Sequence, residues 1–149
     1  MTAANTFTHT VYYDGDCALC STEMAFLMRE NRDGLLDFVN IATPGFDAPS
    51  LGVTREALMT LLHVRDRSGR WLIGVPAIQA IYAATGHRRV AAALAHPVVA
   101  RLAPPVYAWL ARNRYRMPRW LLAAAHLRRD RCAPDGACSL RGSGDASTP

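Results

Sequence analysis

The chain predicts an α/β fold: a mixed sheet with flanking helices and an additional helical C-terminal region. Three observations predict it. A β-branched and aromatic run at residues 7–13 is followed by a helical pattern and then by a second apolar run at 35–41. Two further short apolar runs flank Arg67-Ser68-Gly69-Arg70, which has the composition of a hairpin turn. Beyond residue 87 the pattern is helical throughout, rich in Ala and Arg, with a proline at three of the helix starts.

Residues 7–13 suit a central strand, because an apolar run of this length can be covered on both faces. Residues 20–31 read as a helix: Met24, Leu27 and Met28 fall at i, i+3 and i+4 and share a stripe with Cys20, and Asp33-Gly34 ends it. Residues 35–41 follow a helix, so they pair parallel to the first strand in a right-handed βαβ unit. Residues 42–53, with Pro44, Gly45, Pro49 and Gly52, form a loop, and Thr54 caps a helical turn over 54–57. Residues 58–66 and 71–74 make the hairpin, and 76–85 a helix with Pro76 in its first turn and Gly86 at its end. The order β-α-β, short helix, β-β-α is the thioredoxin-like order. Helices are then expected over 89–96, 97–102, 104–114 and 118–129, and the small, polar residues 133–149 make a flexible tail. The domain plan is one thioredoxin-like domain over 1–131 (core 7–87, helical region 88–131) and a tail over 132–149 that carries a cysteine pair.

Size and composition bound the function. A chain of 149 residues, half of them hydrophobic and 19% charged, can bury its own core as one domain. Four cysteines are too few for a disulfide scaffold, so they read as redox or metal chemistry. The first residues lack the pattern of a secretory signal. The longest stretch without charge, 71–87, is broken by Gly74, Pro76 and Gln79 and is shorter than the roughly 20 residues of a spanning helix. A cytoplasmic location is expected. All seventeen basic residues are Arg, a compositional bias, and they are unevenly placed. Residues 1–87 hold six Arg against nine acids, whereas 88–131 hold ten Arg against one. That asymmetry allows peripheral contact with an anionic membrane or an acidic partner. No nucleic-acid partner is expected, the Arg112–Arg116 cluster being read first as a solvated helix end. The histidines show no metal-ligand spacing, no phosphate-binding Gly pattern occurs, and no cofactor is expected.

The chemistry concentrates at Cys17-Ala18-Leu19-Cys20, between the first strand and its helix. Unpaired N–H groups and the helix dipole favour an anion there and can bring a thiol from about 8.5 into a range of roughly 3.5–7.5. An exposed Cys17 is expected to attack a substrate disulfide, with the more buried Cys20, one turn on, resolving the mixed disulfide. Asp16 is expected to oppose the thiolate and tune the pair, and Asp14 to orient the loop. The same pair also fits half of a zinc site or two core cysteines. Asp14-Gly15-Asp16 resembles an aspartyl-phosphate loop as well, but that chemistry wants a Lys and clustered acids that the chain lacks. Cys132 and Cys138, separated by a turn-forming Pro134-Asp135-Gly136, form a possible secondary redox pair. They fit a small disulfide loop, a relay to Cys17 and Cys20, two ligands of a four-cysteine zinc site, or incidental thiols.

The run from Tyr12 to Cys20 resembles the signature of the thiol-disulfide oxidoreductase DCC family, Asp16, Cys17 and Cys20 matching its Asp-Cys-Cys motif. Val106-Tyr107 and Ala111-Arg112-Asn113-Arg114-Tyr115 are similar to the family's later Tyr and Arg-Asn-Arg stretches, and Cys132/Cys138 have counterparts in many members. The resemblance spans about residues 7–138. It implies a thioredoxin-like fold and disulfide oxidoreductase activity on a protein or small-molecule thiol or disulfide, without naming the substrate. One departure stands out. Thioredoxins place a cis-proline before the third strand to align substrate, and no proline lies between Pro49 and Pro76 here. The competing class is a non-catalytic binding module with structural or zinc-binding cysteines and an Arg-rich docking surface.

Overall fold

The computed structural model describes residues 7–118 and residue 120. Four strands, β1 (His9–Tyr13), β2 (Leu36–Asn40), β3 (His63–Asp66) and β4 (Trp71–Ile73), form one sheet in the order β2-β1-β3-β4. β1 runs parallel to β2, with Val11 opposite Phe38, and antiparallel to β3, with Val11 opposite Val64. β3 and β4 make the antiparallel hairpin. Asp66 holds its turn by accepting the Ser68 hydroxyl at 2.6 Å and the Arg70 N–H at 3.0 Å. This mixed sheet, flanked by helices and extended by a C-terminal helical region, is the thioredoxin-like architecture that the sequence predicts.

β1 is the central strand because alternate residues feed two cores. Val11 and Tyr13 pack on one face against Met24, Leu27 and Met28 of α1 (Ala18–Glu30) and Ala77 and Ile81 of α3 (Val75–Ala84). Tyr12 packs on the other face with Ile41, Ala48 and Leu58, the last from α2 (Arg55–Thr60). The i, i+3, i+4 stripe on α1 thus buries the residues it predicts.

Three boundaries differ from expectation, each for a local reason. Leu58 belongs to α2 and β3 begins only at His63. The Thr54 hydroxyl accepts the Ala57 N–H at 3.1 Å and starts a helix that carries Leu58 and ends at Thr60, where Leu61 turns extended. Pro49–Leu51 makes a 3₁₀ turn inside the expected loop. The segments expected at 97–102 and 104–114 are one helix, α5 (Pro97–Asn113), continuous through Pro104 and Pro105. Proline removes a ladder bond from the carbonyl four residues back. The residues concerned, Ala100 and Arg101, are exposed, where water can take the donors' place. α4 (Arg88–Ala95) precedes α5, and a 3₁₀ turn, Arg114–Arg116, follows it. Most of the helix expected over 118–129, and the tail with Cys132 and Cys138, lie outside the described residues.

α5 is tied to the sheet by Tyr107. Its hydroxyl accepts the Leu62 N–H at 3.1 Å just before β3, and its ring packs on Gly74. Gly74 has φ 69° and caps α3, a backbone conformation that favours glycine. This anchorage sets the direction in which α5 delivers Arg114 to the sheet's end.

Candidate active site

The loop leaving β1 is built around Asn40, the last residue of β2. Its Oδ1 accepts the N–H of Gly15 and of Ala42, each at 2.9 Å. A Cβ on Gly15 would lie 2.2 Å from the Asn40 amide nitrogen, so a side chain there would displace the Asn40 amide that holds the loop. The chain then turns straight into α1, with Cys17 as its N-cap.

Cys17 Sγ accepts the Cys20 N–H at 3.3 Å, which satisfies one of the free donors of the helix start. The exposures are the reverse of those expected from sequence: Cys17 is buried at 0% exposure, and Cys20 is partly exposed. The sulfur of Cys17 turns back over the helix start as a cap, and the Arg114–Arg116 turn packs against α1. The two thiols separate electrostatically. The Cys20 thiol's hydrogen bond lowers the Cys17 pKa most, burial opposes it, and the Cys20 N–H and the Arg114 charge add to the lowering. The net result is about 7. Cys20 is pushed up, first by that same hydrogen bond to Cys17, then by burial and by the Cys17 charge.

Asp14 is the buried acid of the site. Its Oδ1 accepts the Asp16 N–H at 3.1 Å, and its Oδ2 pairs with Arg114 Nη2 at 3.2 Å and accepts the Tyr115 hydroxyl. The side chains of Asp14 and Arg114 are only 1% and 8% exposed. Asp16 is exposed and joins the turn through its backbone; the carboxylate acting against the Cys17 thiolate is that of Asp14.

In the sequence Arg114 belongs to a basic stretch that resembles a family motif, with no role assigned to it. In the structure it lies beside the thiols, with Nη1 3.8 Å from Cys20 Sγ and Nη2 donating to the Met59 carbonyl at 2.5 Å. Its guanidinium stacks 4.9 Å from the Tyr115 ring centroid. Sequence spacing gives no access to these pairings, because Arg114 and Asp14 come from opposite ends of the described chain. The similarity of residues 111–115 to a family stretch was the available signal.

Beside the pair lies a cavity of about 290 Å³ between α1, α3, α5 and the segment before β3, with Cys20 in its wall. Leu61 and Leu62, which precede β3 where thioredoxins carry their proline, line it. Among the described residues no group of three His, Cys, Asp or Glu side chains is placed to hold a metal ion. Nor is any described helix long and apolar enough to cross a membrane.

The chain is 30% identical over 97 residues to an uncharacterized chloroplastic protein of Arabidopsis thaliana, a match covering 64% of this chain and 45% of that one. The chain thus spans less than half the length of that relative. No solved structure matches it. The family model for DCC1-like thiol-disulfide oxidoreductases matches residues 11–120, from the first strand past the Arg114 turn, and the chain belongs to that family.

Proposed function

We propose that the protein is a thiol–disulfide oxidoreductase in which Cys17 is the nucleophile and Cys20 the resolving thiol. The observation that carries this reading is the asymmetry of the pair at the start of α1: Cys17 brought down to about 7, Cys20 pushed up. At neutral pH one sulfur is substantially thiolate while the other keeps its proton until the mixed disulfide forms. Cys17 is buried in this conformation, so attack follows a local shift of the chain lying over the pair. The substrate is a protein or small-molecule disulfide or thiol.

A Cys20→Ser variant should accumulate a mixed disulfide through Cys17, and the intact protein should show a reversible two-electron couple between roughly −120 and −300 mV. Absence of any such couple in the metal-free protein would leave only the binding-module reading.

The C-terminal region supports contact with an anionic membrane surface alongside this chemistry. Val98, Leu102, Val106 and Trp109 are spaced along one face of α5 and are 58–64% exposed. Arg101 and Arg112 lie along one edge of that stripe, and residues 88–118 contain no acid. An exposed apolar stripe bordered by cations has the pattern of a helix lying in a lipid interface. Vesicles containing phosphatidylglycerol should bind the protein and blue-shift its Trp emission, and phosphatidylcholine vesicles should not. Charge reversal of Arg101 and Arg112 together should weaken binding by about tenfold or more. Equal binding to both vesicle types would remove the electrostatic part of this reading.

A further inference from the structure

We infer that the cavity beside Cys20 selects uncharged, apolar small-molecule disulfides and rejects anionic ones; this rests on the oxidoreductase reading above. Three features of the site carry it. First, the walls are largely aliphatic: Leu19, Leu61, Leu62, Ile78 and Leu110 come from four separate parts of the chain and converge beside Cys20. Second, the charged groups that reach the cavity are already engaged. The Tyr82 hydroxyl donates to Glu23 Oε1 at 2.5 Å, and Arg114 is held by Asp14. A substrate carboxylate entering there would meet two acids and a cation whose charge is already matched, and it would lose its hydration without an unmatched cation to replace it. Third, the volume, about 290 Å³, lies at the lower end of the range for small-molecule sites. An aromatic ring or a short alkyl chain attached to sulfur fits that space; a peptide disulfide carrying several charges does not.

The chemistry balances with the groups present. The Cys17 thiolate attacks one substrate sulfur, the S–S bond breaks, and the departing thiolate takes a proton from solvent. The apolar group still attached through the mixed disulfide lies beside Cys20, in the cavity. Cys20 then loses its proton to solvent and attacks Cys17 Sγ, expelling the second thiol. Two electrons pass from the dithiol to the substrate, leaving a Cys17–Cys20 disulfide and two free thiols. The aliphatic wall contributes by holding the apolar group and keeping water from the sulfurs during both displacements.

The experiment is a single turnover of the pre-reduced full-length protein against two pyridyl disulfides that differ by one carboxylate per ring, neutral 2,2′-dithiodipyridine and dianionic 6,6′-dithiodinicotinate. Each rate is divided by that of the same protein unfolded in urea, which removes the intrinsic difference between the reagents. The folded protein should favour the neutral disulfide by about tenfold or more, the discrimination expected when a group fits or fails an apolar pocket. Ile78→Phe and, on a different helix, Leu110→Phe should each narrow that preference to about threefold or less while the Cys17–Cys20 couple persists. Two variants on separate helices guard against one failing to fold. If the neutral and anionic reagents react equally, or if both filled variants keep the full preference, the selectivity claim is overturned and the oxidoreductase reading stands. If neither reagent produces a Cys17–Cys20 disulfide in the wild-type protein, the oxidoreductase reading itself fails.

Discussion

Replacing Arg114 by Gln is expected to cost roughly 3–5 kcal/mol of stability, the loss that follows when one partner of a buried ion pair is removed. The reason lies in Asp14. Its side chain is 1% exposed, and Arg114, 8% exposed, supplies the opposite charge at 3.2 Å. Without Arg114 the carboxylate keeps the Asp16 N–H and the Tyr115 hydroxyl but loses its cation, and the Met59 carbonyl loses its donor. Lysine should not rescue the site. A single ammonium lacks the planar fork that reaches Asp14, the Met59 carbonyl and Cys20 from one side chain. Urea unfolding should show a lower midpoint at an unchanged slope, since the surface exposed on unfolding is the same. Adding Asp14→Asn to Arg114→Gln should recover part of the loss, because the orphaned charge is then gone. A loss below about 1 kcal/mol would mean that the pair behaves as a solvated one and has no hold on the site. The same substitution removes a positive charge that lowers Cys17, so the pKa of that thiol should rise.

That latch marks where sequence reasoning reaches its limit. The β1–turn–α1 placement of Cys17 and Cys20 is legible because it depends on local patterns: the unbroken apolar run at Val11, Tyr12 and Tyr13, and helical spacing at Met24, Leu27 and Met28. The parallel pairing of β1 with β2 follows from the helix that connects them, and handedness fixes the side on which that helix lies. Arg114 reaching Asp14 follows instead from the anchorage of Tyr107 under β3 and from α5 running unbroken through Pro104 and Pro105. Read locally, those prolines imply a break, and a broken α5 has no defined direction. The burial of Cys17 is hidden for a similar reason. The first cysteine at a helix start is exposed unless something packs over it, and here a turn about a hundred residues later packs against α1. Likewise Asp16 adjoins Cys17 in sequence, but the carboxylate folded in against the thiols is that of Asp14.

Alkylation of the native protein should follow a pH profile with its midpoint at about 7 and should label Cys17, with Cys20 silent across the neutral range. Cys17 has a lowered pKa, so the sign is fixed: its rate falls about tenfold per unit as pH drops well below 7 and levels off above 8. In the unfolded chain the midpoint should return to about 8.5. Lowering a thiol from about 8.5 to about 7 raises its thiolate fraction at pH 7 by roughly sixteenfold but costs about fivefold in intrinsic nucleophilicity, a net gain of about threefold. Burial works against that gain, so the absolute rate in the folded protein should lie below that of an open thiol of the same pKa. A native midpoint near 9 would deny that Cys17 is activated. The partner substitution tests the cause. The largest influence raising Cys20 is its hydrogen bond to Cys17, so Cys17→Ala should bring Cys20 down and make this previously silent, partly exposed thiol the one that reacts. Burial still holds it above the ordinary value, so its midpoint should remain higher than that of Cys17 in the intact pair. If Cys20 stays silent in Cys17→Ala throughout the range where an ordinary thiol reacts, burial alone sets its pKa. The division of labour between the two sulfurs would then owe nothing to the bond between them.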